Sequence, residues 1–172
     1  MHLLLNICVI LNIILVALTV RVFLILVGHY LIDLPDSTAD SVSFESEAWR
    51  IAQYGFDYLI TDYNFAPSAK FISWVVAIPY SLIGRSALMA KSLSLLLGMG
   101  CVFLGWKVAK MIWDEKIAKK VAWVIALFPS LVLYSVLVMR ESYVSFFLLV
   151  AMYGVVKWVK TKSLKSLAIS IL

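Results

Sequence analysis

Apolar residues form long uninterrupted runs along this chain, and these runs set its predicted architecture. A helix needs about 20 residues to cross the ~30 Å hydrocarbon layer of a bilayer. Four runs reach or approach that length: 3–27, 87–106, 121–139 and 143–159. We therefore predict an all-α, polytopic membrane protein with these four spans and one long loop over 31–86.

A fifth apolar run, 71–84, is shorter and contains Pro79. On a helical wheel its bulky apolar side chains lie on one side, and the other side carries a narrow stripe of small and polar residues: Lys70, Ser73, Ala77 and Ser81. This pattern favours an interfacial helix over about 68–83. The alternative is a fifth crossing, which would move the preceding loop to the opposite side of the membrane.

The long loop contains a second amphipathic pattern, over about 41–54. Phe44, Ala48 and Ile51 fall on one helical face, and charged residues occupy the other. Gly55 is expected to end this helix, because glycine readily adopts the left-handed conformation that follows a helix terminus. We therefore predict two short surface helices in the loop.

Charged residues make up only 15% of the chain, and they are unevenly distributed. Seven of the ten acidic residues lie between Asp33 and Asp62, whereas five lysines lie in 107–120 and four in 157–165. Because Lys and Arg accumulate in cytoplasmic loops, both Lys-rich segments and the N-terminus should be cytoplasmic and the acidic loop outside. Topology thus accounts for the net charge of +5, and no nucleic-acid partner is predicted.

Three further features bear on function. Arg21 lies in or just beyond the first span and needs a partner, for which we expect a carboxylate of the acidic loop or a lipid phosphate. Cys8 and Cys101 lie inside apolar runs, which indicates neither a disulfide nor a metal cluster. The final letters "LAISIL" read as the start of another apolar segment, so we expect a C-terminally truncated portion of a longer protein.

Four motifs follow one another along the chain: "ADSVSFESEAWRIAQYGF", "FAPSAKFISWVVAIPYSLIGRS", "MAKSLSLLLG" and "ALFPSLVLYSVLVMRES". Their order resembles the amino-terminal portion of GT-C glycosyltransferases, the group of protein O-mannosyltransferases, lipid A aminoarabinose transferases and Rgt-like enzymes. The chain departs from the family in one respect. The first acid of the family's loop belongs to an Asp-Glu pair, whereas Asp40 is followed by Ser41.

The resemblance implies an inverting transfer of a sugar from a polyprenyl-phosphate donor to a glycan, lipid or protein acceptor at the outer face of the cytoplasmic membrane. Asp40 would be the general base and Glu141 a second acid, which in metal-dependent relatives helps to hold Mg²⁺ or Mn²⁺. The donor phosphate would be contacted by three cations: Arg140, Lys91 and Lys70. Such enzymes carry further spans, so activity of this portion alone is not expected.

Each of these residues also has a simpler interpretation. Asp40 is a good N-cap for the helix that follows it, and Asp36 competes with it for the catalytic role. Glu141 and Arg140 would form a weak surface ion pair, and the lysines would extend toward lipid headgroups. Glu45 and Glu47 are expected to face water.

The alternative function is a non-enzymatic membrane subunit of a polysaccharide or lipid export or flipping system, whose acidic loop only solvates the surface or docks a partner. An enzyme requires Asp40 and Glu141 to face one cavity on the same side of the membrane.

Overall fold

The computed structural model describes residues 2–38, 40–55 and 67–162, with side chains described for 8–38, 40–55 and 71–162. The described residues form α-helices and no β-strand, which confirms the predicted all-α class. The helices are α1 (His2–Tyr30), α2 (Asp40–Tyr54), α3 (Pro67–Ile83), α4 (Ala87–Ile112), α5 (Glu115–Leu127), α6 (Pro129–Tyr134) and α7 (Arg140–Thr161). The terminal "LAISIL" and the side chain of Lys70 lie outside the described residues.

Three helices are long and apolar enough to cross a membrane: Cys8–Tyr30 of α1, all of α4 and all of α7. Many of their large apolar side chains point away from the bundle, including Leu15, Leu96 and Leu148. Such outward exposure is typical of helices whose surroundings are lipid rather than water. The chain therefore has the character of a membrane protein.

The predicted span 121–139 is divided in the structure. Helix α5 ends at Leu127, α6 begins at Pro129, and residues 135–139 are not α-helical. Pro129 has no N–H to continue the helical hydrogen bonds. It also favours an extended conformation in the residue before it, and Phe128 accordingly has φ −63° and ψ 120°.

The bundle has two chemically distinct ends. At the acidic end, which comprises residues 31–38 and 40–55, the first two turns of α4 and the first turn of α7, the Lys91 ammonium donates to the Gly28 carbonyl at 3.5 Å. There too, the Ser41 hydroxyl accepts a hydrogen bond from the Val138 N–H at 3.2 Å. At the Lys-rich end, which comprises 107–120 and 157–162, Lys160 donates to the Met111 carbonyl. The two Lys-rich segments thus share one end, as predicted, while the side of the membrane that each end faces stays a prediction.

Helices α2 and α3 pack against each other at the acidic end. Ala48 and Ile51 of α2 are buried, as the helical pattern predicted, and Gly55 follows α2 with φ +82°. The stripe on α3 lies differently from our interpretation, because Ser73 and Ala77 are buried rather than facing water. Small side chains let the two helices approach closely.

Helix α3 turns its bulky face toward the outside and toward α7. Ile78 and Leu82 are exposed. The Phe71 ring lies 6.5 Å from that of Tyr143 and 6.4 Å from that of Phe147, both on the first two turns of α7. The described side chains of α3 therefore contact the half of the bundle that carries the acidic end.

Candidate functional site

The structure brings four of the five predicted site residues to the acidic end. Asp40 is the exposed first residue of α2, and Lys91 lies in the second turn of α4. Arg140 and Glu141 lie in the first turn of α7. The fifth residue, Lys70, has no described side chain.

Arg140 connects α7 to the face of α2 that carries Asp40. Its guanidinium carbon lies 6.0 Å from the centre of the Phe44 ring, a distance at which a cation is attracted to a ring face. Phe44 follows Asp40 by four residues, so the two share one helical face. Arg140 therefore approaches the side of α2 on which Asp40 also lies.

Glu141 lines a small cavity, which we call the Glu141 cavity. Its volume is about 20 Å³, enough for one water molecule. The Oε2 atom of Glu141 is buried and has no hydrogen-bond partner among the described residues. Two apolar side chains, Ile125 and Leu131, line the cavity together with polar and small residues: Arg21, Gly98, Cys101, Tyr134, Ser135, Glu141, Ser142 and Ser145.

Arg21, on the opposite wall of this cavity, is completely buried. Its Nε donates to the Ser135 hydroxyl at 2.9 Å, and its Nη1 donates to the carbonyls of Ala126 at 2.8 Å and Ala17 at 3.2 Å. Its Nη2 donates to the Ile125 carbonyl at 3.4 Å. The expected partner, a loop carboxylate or a lipid phosphate, was wrong: the hydrogen-bond partners of Arg21 are neutral oxygens of its own helix, of α5 and of the turn after α6.

These contacts explain how the break in the predicted span is tolerated. In a continuous helix, the Ile125 carbonyl would accept the N–H of residue 129, which is a proline here. The carbonyls at the end of α5 lack helical donors and carry the negative end of the helix dipole. The buried guanidinium of Arg21 donates hydrogen bonds to these carbonyls and places a positive charge at the negative end of the helix dipole.

Asp36 also approaches the Glu141 cavity. Tyr134 lines the cavity, and its hydroxyl donates to Asp36 Oδ2 at 3.3 Å. Asp40, in contrast, does not line it. Of the two competing loop acids, Asp36 is thus the one hydrogen-bonded to a residue that lines the Glu141 cavity, whereas Asp40 lies exposed on the surface of α2.

Lys91 opens into a separate, larger cavity of about 180 Å³, which we call the Lys91 cavity. Carboxylates and hydroxyls of the acidic loop line it together with the lysine: Asp33, Ser37, Ser41, Glu45 and Lys91. Sequence reasoning did not single out Asp33, because nothing in the local pattern distinguishes it from the other acids of the loop.

Glu45 is not the water-facing residue that we expected. Its side chain is 12% exposed, and its carboxylate accepts hydrogen bonds from Arg85 at 2.7 and 3.0 Å and from the Tyr80 hydroxyl at 2.8 Å. The hydrogen bond from Arg85 holds the pKa of Glu45 below its usual range, against the opposing effect of burial. Burial, reinforced by the bond to Glu45, raises the pKa of Tyr80. Glu47 is likewise mostly covered, with 12% exposure.

No protein-family model, curated protein or solved structure matches this chain. The described residues also contain no group of three or more His, Cys, Asp or Glu side chains placed to hold a metal ion.

Proposed function

We propose that this chain is the amino-terminal part of a GT-C-like glycosyltransferase that transfers a sugar from a polyprenyl-phosphate donor to an acceptor hydroxyl at the membrane surface. The observation that carries the proposal is that Asp40, Lys91, Arg140 and Glu141, from three distant parts of the chain, lie at the same end of the bundle, although Asp40 does not line the Glu141 cavity. Their order along the chain and the motifs around them are those of the resemblance.

The chemistry assigns a different task to each charge. The Asp40 carboxylate takes the proton of the acceptor hydroxyl, whose oxygen forms a bond to the anomeric carbon as the bond to phosphate breaks. The polyprenyl phosphate leaves with the bonding electron pair. Arg140 can bind the oxygens of this phosphate through two parallel hydrogen bonds, and Lys91 can attract them as a point charge. The proposal routes no step through a metal.

Glu141 has a supporting role in this scheme. It lines a surface opening together with Arg140 and Ser145, and its Oε2 is buried. A carboxylate at such an opening can accept a hydrogen bond from a sugar or acceptor hydroxyl. Orientation of the acceptor is the task that we assign to it.

The test is sugar transfer from a polyprenyl-phosphate-sugar donor in membranes that contain the full-length gene product. Asp40→Asn keeps the size and removes the base, and we expect transfer to fall by roughly 10²-fold or more. Asp36→Asn tests the competing acid of the same loop and, if Asp40 is the base, should leave transfer within a few-fold of the unchanged protein. Full transfer by Asp40→Asn together with loss in Asp36→Asn would assign the base to Asp36.

Full transfer by both variants would remove the loop acids from the mechanism. Absence of transfer from every donor, in a protein that is correctly inserted, would favour the non-enzymatic export or flipping subunit instead.

A further inference from the structure

The Lys-rich end of the bundle contains an uncompensated cationic seam between α4 and α7. The described acids at this end are Asp114 and Glu115, and both are already engaged. Asp114 caps α5 by accepting the Ile117 N–H at 2.7 Å. Glu115 pairs with Lys110 at 2.7 Å and accepts a hydrogen bond from Trp106 at 3.3 Å.

Two half-buried lysines approach the same aromatic ring at this seam, one from each helix. The Lys107 ammonium on α4 lies 5.0 Å from the centre of the Tyr153 ring on α7, and the Lys157 ammonium lies 5.8 Å from the same ring. Lys107 is also 5.5 Å from the Phe103 ring. No carboxylate among the described residues pairs with either lysine.

Ring faces attract these cations but carry no net charge to neutralise them. Two ammonium groups beside one ring repel each other, and they do so more strongly in surroundings of low dielectric constant than in water. The arrangement is therefore stabilised most by an anion near both groups.

The surroundings indicate which anion. The seam is at the end of two helices that are apolar and long enough to span a membrane. Tyr153 lies in the seam, and Trp106 and Trp158 of the same two helices each face another lysine. Trp and Tyr concentrate at the level of the lipid headgroups. Lysines at the ends of spans attract anionic lipids.

We propose that the α4–α7 seam binds the phosphate of an anionic membrane phospholipid, with Lys107 and Lys157 as its two cationic contacts. The lipid chains lie along the apolar surfaces of the same two helices. This site is at the opposite end of the bundle from the proposed glycosyltransferase residues and does not depend on that function.

The experiment compares lipids and a matched pair of variants. The purified full chain in a mild non-ionic detergent is titrated with phosphatidylglycerol, with phosphatidylcholine and with inorganic phosphate, and bound lipid is counted by native mass spectrometry. We expect roughly tenfold tighter binding of phosphatidylglycerol than of phosphatidylcholine. The Tm of the protein is measured with each ligand as well, and inorganic phosphate should leave it unchanged.

Lys107→Gln/Lys157→Gln removes both charges of the seam, and the preference should fall to within roughly twofold. Lys116→Gln/Lys120→Gln removes the same charge from exposed positions on α5 at the same end and should keep the preference. Lys107→Arg/Lys157→Arg should keep it too, and this variant serves as the test if the Gln pair does not fold.

Equal loss in the seam and α5 pairs would mean diffuse attraction to the whole end and would overturn the proposal. The proposal is also overturned if the unchanged protein does not prefer phosphatidylglycerol over phosphatidylcholine, or if Lys107→Arg/Lys157→Arg loses this preference. A thermal shift with inorganic phosphate equal to that with phosphatidylglycerol would show a site for soluble phosphate and would refute the lipid assignment.

Discussion

Replacement of Arg21 by leucine tests the role of this residue at the broken span. The guanidinium is completely buried and donates to the carbonyls of Ile125 and Ala126. Leucine leaves the buried Ala126 carbonyl and the partly buried Ile125 carbonyl without their Arg21 donors, each at about 1–3 kcal/mol. Removal of a buried charge offsets part of this loss. We expect a net destabilisation of about 2–4 kcal/mol.

The assay is thermal unfolding in detergent, followed by tryptophan fluorescence or circular dichroism. For a chain of this size, 2–4 kcal/mol corresponds to a fall in Tm of roughly 4–16 °C. Arg21→Lys keeps the charge but has a single donor group, and it should unfold between the unchanged protein and Arg21→Leu.

Pro129→Ala provides the sharper comparison. It restores an N–H at position 129, which can donate to the Ile125 carbonyl if α5 continues into α6. In that background, Arg21→Leu should be less destabilising by about 1–3 kcal/mol. Additive effects of the two substitutions would refute the argument that Arg21 compensates for the proline.

Three further predictions concern other parts of the bundle. The pKa of Glu45 is lowered in the fold, so its ion pair with Arg85 stabilises the protein above about pH 4.3 and this stability is lost as the pH falls through the lowered pKa. Amide hydrogen exchange in α2 should therefore become faster over that pH range. In Glu45→Gln, exchange in α2 should already be faster at neutral pH. Gly98→Ala places a Cβ 2.4 Å from a side-chain carbon of the turn after α6, and thermal unfolding should show a loss of about 1–3 kcal/mol. The single-cysteine variants Val42→Cys and Lys116→Cys should react with an impermeant maleimide from opposite sides of the membrane, Val42→Cys from outside. Reaction of both variants from the same side would contradict the predicted topology.

Much of the helical architecture could be predicted because it follows from local patterns. Apolar length marks α1, α4 and α7, and helical periodicity marks the buried face of α2 at Ala48 and Ile51. The segregation of charge predicted which segments share an end. These features depend on residues that are close together in sequence.

The site was less accessible to sequence reasoning, because its contacts join distant residues. Glu45 reads as a surface acid until Arg85, 40 residues later, is brought against it. Asp36 and Asp40 cannot be separated by residue type, and only the position of Tyr134 links Asp36 to Glu141. The catalytic roles of Asp40, Lys91, Arg140 and Glu141 stay predictions.

The partners of Arg21 have a consequence for biosynthesis. Ala126 and Ser135 follow it by 105 and 114 residues, so at about 5–20 residues per second the ribosome needs roughly 5–20 s to supply them. Until then α1 carries an unmatched charge about nine residues before its end, at a depth where arginine is unfavourable by about 2.5–3.5 kcal/mol. The first helix should therefore insert shallowly, with Arg21 extended toward the headgroups. It should reach its final depth only after α5 and α6 have been synthesised and inserted.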